Sequence, residues 1–327
     1  MNIRKAYPII FLFIFCLTPY LLNKTSSPQK NQMNDSKDFI VKLYRHETKE
    51  IENIPLKEYL CGVVAGEMQA NYEHEALKAQ AVAACTYTIY RYEYLSKNKS
   101  TDNEHPDAYV CDNYSHCKSY ISREKAKERW GTDWFDKYYP NIEAAVNQVY
   151  GQVITYENKV INAVFHAISS GTTEPAKNVW GTEIPYLLSV DSSVDTTAKG
   201  YETTSTFSAT EVMKKLAEIS IDVKGDATYW FSSPTLDSAG SVAFVTVNGK
   251  NISGTEIRSL FGLRSTAFSI SADSKNITFT VRGYGHQVGM SQNGANEMAK
   301  QGKSYTEILQ HYYSGVEIQG YNFKSTV

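Results

Sequence analysis

Four groups of residues in this 327-residue chain carry side chains that could do chemistry. The first is one carboxylate, Glu67, set between Gly66 and Met68 at the end of an apolar run. The second is His105, Cys111, His116 and Cys117, two imidazoles and two thiols inside 13 residues. The third is a polar stretch with His166, Ser169, Ser170 and Thr172. The fourth is a glycine-punctuated stretch with Tyr284, His286, Ser291 and Gln292.

Glu67 stands three and four residues beyond Val64 and Val63, on or beside the apolar face of a helix. A carboxyl group there is poorly solvated, and desolvation can keep it protonated near neutral pH, as a general acid requires. The plain alternative is an exposed glutamate near a helix C-terminus. Cleaving a glycosidic bond needs such an acid, and ordinary hydrolysis needs a second carboxylate as well. The other candidates, Glu73, Glu75, Asp191 and Asp195, sit in ordinary polar settings.

Two thiolates and two imidazoles suit a tetrahedral zinc ion. A Cys111–Cys117 disulfide closing a small loop is the rival reading, with both histidines on the surface. Four protein ligands would make a zinc site structural, because a catalytic zinc keeps one position open. Hydroxyls and imidazoles beside glycines form a mouldable polar wall for sugar hydroxyls and N-acetyl groups. The plainer readings are a Ser/Thr turn for the third group and a helix-leading loop for the fourth. His166 fits a core position equally well, whereas the glycines around His286 are expected to expose its ring.

These groups need elements to hold them. Leu56, Tyr59, Leu60, Val63, Val64 and Met68 recur at helical spacing, with Pro55 suited to the first turn. A long helix over about 73–95 follows, its face of Ala76, Ala79 and Ala83 (with Gln80 between) open to close approach. Strands are expected at 39–44 and 50–54, and helices at 122–130 and 140–149. Residues 152–156 and 160–167 read as a hairpin. From Tyr201 the pattern turns strand-rich: a strand at 203–207, a capping box at Ser208–Glu211, a strand at 242–247 ending in Asn248-Gly249, and a hairpin of 268–272 with 277–282. Helices are expected near 294–300 and after Ser304. The fold class is α+β, with helices around Glu67 and a mixed, mainly antiparallel β portion.

Residues 1–23 read as a signal peptide or an N-terminal signal anchor, with Arg4 and Lys5 before an uncharged run; the lack of an Ala-x-Ala-like cleavage site at 23–27 favours the anchor. That places the remainder outside the cytoplasm. Residues 24–38 form a polar linker, and 39–327 the main domain, with about 201–282 a possible β-rich insertion. The net charge of −2 provides no electrostatic pull towards nucleic acid. Cys61 and Cys85 lie on helices expected to pack together, as buried thiols or as a disulfide.

Residues 54–87, with Gly66-Glu67-Met68 and Ala76-Leu-Lys-Ala-Gln-Ala-Val-Ala-Ala84, resemble the stage II sporulation protein D family. The stretches Phe165–Glu174, Val179-Trp-Gly181 and Gly283–Gln292 are similar to two further blocks of that family. The resemblance implies a membrane-anchored lytic transglycosylase acting on septal and engulfment peptidoglycan, with Glu67 as acid/base. In that class the sugar's own 6-hydroxyl attacks C1 and leaves a 1,6-anhydro product, so one carboxyl can act as acid and then base. Some members carry zinc on such a His/Cys cluster. The resemblance further implies strands already stripped of stem peptides by an amidase of the stage II sporulation protein P type. It also implies a membrane partner of the stage II sporulation protein M type. One departure stands out: the family commonly has Arg where this chain has Cys85, and Arg91 is a possible substitute. A zinc-dependent peptidoglycan amidase or endopeptidase, and a non-catalytic peptidoglycan-binding scaffold, stay open as alternatives.

Overall fold

A computed structural model describes residues 39–98 and 104–323 of the chain. The expected anchor (1–23) and linker (24–38) lie outside the described residues. Among the described residues no helix is long and apolar enough to cross a membrane. The fold is α+β, with its sheets mainly antiparallel.

Strand β1 (Ile40–Tyr44) pairs antiparallel with β2 (Ile51–Pro55). Helix α1 (Leu56–Glu67) starts at once, with Pro55 just outside it as the N-cap residue. Its apolar face buries Leu56, Tyr59, Leu60, Val63 and Val64, and it ends where the Met68 N–H bonds the Val64 carbonyl. Helix α2 (His74–Asn98) follows after a short turn. Ala76, Ala79 and Ala83 are fully buried on it, which lets neighbouring elements approach closely. The loop beyond α2 docks through β3 (Val110–Cys111), which pairs in parallel with β1 and so ties the His/Cys segment to the first sheet.

Helix α3 (Arg123–Trp130) is capped by Ser122. Helix α4 runs over Thr132–Val149, so it begins before the expected 140–149 segment and passes through Pro140. Phe135 and Tyr139 are buried while Pro140 is exposed, so the ring faces water, where an unpaired carbonyl one turn back is solvated. Strand β4 (Gln152–Tyr156) turns at Glu157 and Asn158, both with positive φ, into β5 (Lys159–Val160). The hairpin expected to run to 167 stops there. Phe165–His166 (β6) instead pairs in parallel with residues Met290–Ser291, a long-range partner that local sequence does not specify.

After α5 (Ala176–Trp180) and a 3₁₀ turn at Ser193–Thr197, the chain enters a second hydrophobic cluster. There β7 (Glu202–Ser208), α6 (Ala209–Glu218), β8 (Thr235–Leu236), β9 (Val242–Val247), β10 (Lys250–Ser253), α7 (Gly254–Phe261), β11 (Ala267–Ala272) and β12 (Asn276–Arg282) form two three-stranded sheets with two helices. Val212, Leu216, Ile257, Phe261 and Phe279 fill the space between them. The capping box at Ser208 and Glu211 has both of its hydrogen bonds.

The chain then returns to the first cluster with β13 (Met290–Ser291), α8 (Gln292–Lys300), α9 (Tyr305–Tyr312) and β14 (Glu317–Gly320). β14 closes against β4, so the last strand joins the sheet of β4 and β5 from the middle of the chain. Helix α2 runs through the middle, packed against α1, α4, α8, α9 and β4. One polar link fixes its register: Thr86 Oγ1 accepts the Ile154 N–H at 2.9 Å and donates to the Val82 carbonyl.

Candidate active site

Glu67 is half-buried at the end of α1, where the helix gives way to an extended Met68. Both its oxygens are held from distant parts of the chain. The Ser119 N–H donates to Oε1 at 2.7 Å, and the Gln292 side-chain amide donates to Oε2 at 3.1 Å. Ser119 can approach because Gly66 has no side chain. A Cβ there would lie 2.9 Å from the Ser119 carbonyl oxygen.

Glu67 opens into a cleft of about 320 Å³ with Met68, Gln69, Asn71, Arg129, Trp130 and Trp134 along its walls. Among the described residues, it is the only carboxylate lining that cleft. Gln69 and Asn71 also line a neighbouring cleft of about 380 Å³, with Tyr72, Lys199, Asn293 and Asn296. Planar amides and indole rings are the side chains that meet sugar hydroxyls, acetamido groups and pyranose faces.

Lys118, absent from the sequence-based candidates, is buried beside the acid. Its ammonium lies 3.8 Å from the centroid of the Phe165 ring and 4.5 Å from that of Tyr87. Burial lowers its pKa to about 8, against the opposing pull of the Glu67 carboxylate. It therefore still carries its charge at neutral pH. Cys85 is a fully buried thiol pushed up to about 12 by desolvation. Arg91 Nη2 stands 3.3 Å from His105 Nε2, and its Nε faces the Tyr109 carbonyl. The cation beside Glu67 comes from the loop before Ser119. Nothing in the local pattern around Lys118 distinguishes it from a surface lysine. The pair Trp130 and Trp134 was the more readable signal, two indoles four residues apart in an aromatic-rich segment.

The structure brings His105, Cys111, His116 and Cys117 together, with their donor atoms all within 4.8 Å of one another. His105 Nε2 stands 3.3 Å from Cys117 Sγ, and His116 Nδ1 3.5 Å from each sulfur. Zinc–ligand bonds of roughly 2.0–2.3 Å in a tetrahedron place donors about 3.5 Å apart, so the donor set fits zinc. His105 Nδ1 faces the Ala108 carbonyl, which leaves Nε2 directed at the cluster. The Cys117 thiol is lowered to about 3, first by the hydrogen bond from Cys111 and also by His105, while Cys111 is correspondingly raised. All four cysteines among the described residues are free thiols, Cys61 and Cys85 included.

The third and fourth groups meet through the β6–β13 pairing, which sets His166 beside Ser291. His166 is buried, with Nδ1 on the Val288 carbonyl, and desolvation lowers it to about 4. The ring of His286 is half-buried rather than exposed. Its Nδ1 accepts the Val288 N–H, it also bonds the Phe165 backbone, and Trp180 stands 5.5 Å from it. The expectation of an exposed ring fails because the glycines are used for backbone approach: a Cβ on Gly285 would come within 2.7 Å of the His166 side chain. Ser169 and Ser291 are enclosed; Ser169 Oγ accepts the Gly171 N–H, and Ser291 caps α8. Ser170 is tied by its backbone to Gln287 and Tyr201, and Thr172 bridges Asp191. Tyr284 is exposed, with the Arg264 guanidinium 4.1 Å from its ring. Of these eight residues, Gln292 alone bonds the Glu67 carboxylate.

Residues 44–156 match the family model described as stage II sporulation protein. Over 279 residues the chain is 40% identical to stage II sporulation protein D of Bacillus subtilis (strain 168), covering 85% of this chain and 78% of that protein. It is 41% identical over 282 residues to stage II sporulation protein D of Bacillus amyloliquefaciens, with 85% and 78% covered. A more distant similarity, 28% over 319 residues, joins it to the amidase enhancer of Bacillus subtilis (strain 168), covering 80% of this chain and 40% of that protein. The chain belongs to the stage II sporulation protein D family. It is thereby tied to sporulation, in a family related to cell wall remodelling.

Proposed function

We propose that this protein is a peptidoglycan lytic transglycosylase with Glu67 as its acid and base. The observation that carries the reading is that Glu67 is, among the described residues, the one carboxylate lining an amide- and indole-walled cleft. A retaining or inverting hydrolase needs a partner carboxylate within about 5–9.5 Å across the scissile bond. A transglycosylase does not. Protonated Glu67 gives its proton to the glycosidic oxygen as the bond to C1 breaks. The carboxylate left behind takes the proton from the sugar's 6-hydroxyl as that oxygen closes on C1, and a 1,6-anhydro ring forms without water. One group thus performs both transfers. The Ser119 N–H and Gln292 amide fix the carboxylate's orientation through both steps.

His105, Cys111, His116 and Cys117 would hold a zinc ion. Four protein donors leave no position for a reactive water, so the ion's part is structural. Cys117, Lys118 and Ser119 are consecutive, which joins the metal cluster directly to the cation and the donor at Glu67. The substrate is glycan strands of the spore-forming cell's wall, stripped of stem peptides, as the family resemblance suggests. The test is digestion of purified, peptide-free glycan with mass analysis of the products. Fragments lighter than the hydrated sugars by one water support the transglycosylase. Fully hydrated fragments point to hydrolysis and overturn it.

A further inference from the structure

Asp195 lies fully buried in the 3₁₀ turn at Ser193–Thr197, outside both clefts. A buried carboxylate is costly unless every lone pair is used, and this one is densely bonded. Ser192 Oγ donates to Oδ2 at 2.7 Å, and Asn293 Nδ2 donates to Oδ1 at 2.9 Å. The Ser291 hydroxyl and the Ser169 backbone N–H also bond it. The carboxylate therefore grips the residues on both sides of Gln292, at the first turn of α8, where a helix N-terminus favours negative charge. Gln292 between them donates to Glu67. The packing is tight: a Cβ on Gly294 would come 2.9 Å from Asp195 Oδ2 and 2.0 Å from the Tyr312 hydroxyl. One turn further along α8, Asn296 Oδ1 accepts the Glu73 N–H at 2.9 Å, so α8 holds both ends of the 67–73 segment.

We infer that Asp195 is a positioning residue for the acid, acting through Gln292. It locks residues 291–293 so that the Gln292 amide is presented to Glu67 Oε2 at a fixed distance. The inference rests on the transglycosylase reading for its kinetic consequence, and on geometry alone for the placement of the amide.

The test uses Asp195→Asn, Gln292→Leu, their double variant, and Ser192→Ala as a variant that loses a bond to the same carboxylate from a residue outside the 291–293 segment. Turnover of peptide-free glycan, thermal midpoint and the side-chain ¹⁵N–¹H resonances of Gln292 are measured for each. Asp195→Asn is expected to lower kcat about tenfold with KM within twofold, and Gln292→Leu to do the same. The double variant should be no worse than either single one, because one interaction is lost in all three. Ser192→Ala should lower the midpoint while leaving kcat unchanged. The Gln292 amide resonances should move in Asp195→Asn and hold in Ser192→Ala. Multiplying kcat losses, or Gln292 resonances that stay fixed in Asp195→Asn, overturn the inference. If the wild type yields no anhydro product, the transglycosylase reading fails, and the Gln292 resonances alone still decide the positioning role.

Discussion

The backbone N–H of Ser119 donates to Glu67 Oε1 at 2.7 Å, across 52 residues of chain. The donor sits directly after Lys118 and two residues after Cys117. The acid's backbone donor, its neighbouring cation and Cys117 of the His/Cys cluster are thus parts of a single short segment laid against the end of α1.

Removing the acid tests the proposed chemistry first. Glu67→Gln keeps the size and the hydrogen-bonding capacity towards Ser119, but has no proton to give. Turnover of peptide-free glycan is expected to fall by about 10²–10⁴, with the thermal midpoint unchanged within a few degrees. Retained function in this variant would support a non-catalytic scaffold instead.

Gly66 governs the approach of Ser119. An alanine Cβ there meets the Ser119 backbone at 2.9–3.0 Å, and backbone cannot move aside as a flexible side chain can. Gly66→Ala is expected to cost about 1–3 kcal/mol of stability, read by denaturant unfolding. It should also lower kcat beyond what the lost folded fraction explains, because the shifted loop carries the Glu67 donor.

Lys118 separates charge from packing. Lys118→Met fills a similar volume among Tyr87 and Phe165 and keeps the packing, so its stability cost should stay near the roughly 1–2 kcal/mol of the lost ring contacts, read by denaturant unfolding. Turnover should drop at least about tenfold if this buried charge serves the glycosidic cleavage electrostatically. Unchanged turnover would remove Lys118 from the mechanism.

Metal removal distinguishes a structural ion from a catalytic one. Chelation is expected to lower the thermal midpoint by roughly 5 °C or more, with added zinc restoring it. Activity remaining at low temperature should follow the folded fraction, and its products should still be anhydro sugars. Complete loss of turnover in chelated protein that is still folded would favour the zinc-dependent amidase or endopeptidase.

His166 sets an acid limit. Its pKa falls from 6.5 unfolded to about 4 folded because burial disfavours the imidazolium. Between those values the unfolded chain binds the extra proton, so stability is lost as pH falls from about 6.5 to about 4. The span corresponds to about 3 kcal/mol for this buried group. His286 is lowered in the same direction, by burial first and by its charged neighbours second. Urea unfolding at several pH values should show this slope in the wild type and a shallower one in His166→Gln.

The sequence determined whatever depends on near neighbours. The spacing of Leu56, Tyr59, Leu60, Val63 and Val64 defines an apolar face that places Glu67 at its edge. The His105–Cys117 cluster was legible because its four side chains fall within 13 consecutive residues. Ser208 with Glu211, and Asn248 with Gly249, mark local turns and caps whose hydrogen bonds span three residues or fewer.

Tertiary structure decided the rest, because its contacts join segments whose separation leaves no periodic trace. Phe165–His166 looked like the far strand of a local hairpin, yet its partner is Met290–Ser291. Pro140 read as a helix start, but burial of Phe135 and Tyr139 extends α4 back through it. The glycines around His286 suggested an open ring; folding used them to bring backbone against His166. Lys118 is an ordinary lysine in the sequence, and only the closing of its loop over Phe165 and Tyr87 makes it the cation beside the acid. Sequence could nominate Glu67, but the donors that orient it, at Ser119 and Gln292, arrive from 52 and 225 residues away. Such pairings follow from burying whole faces together, which no single stretch of chain encodes.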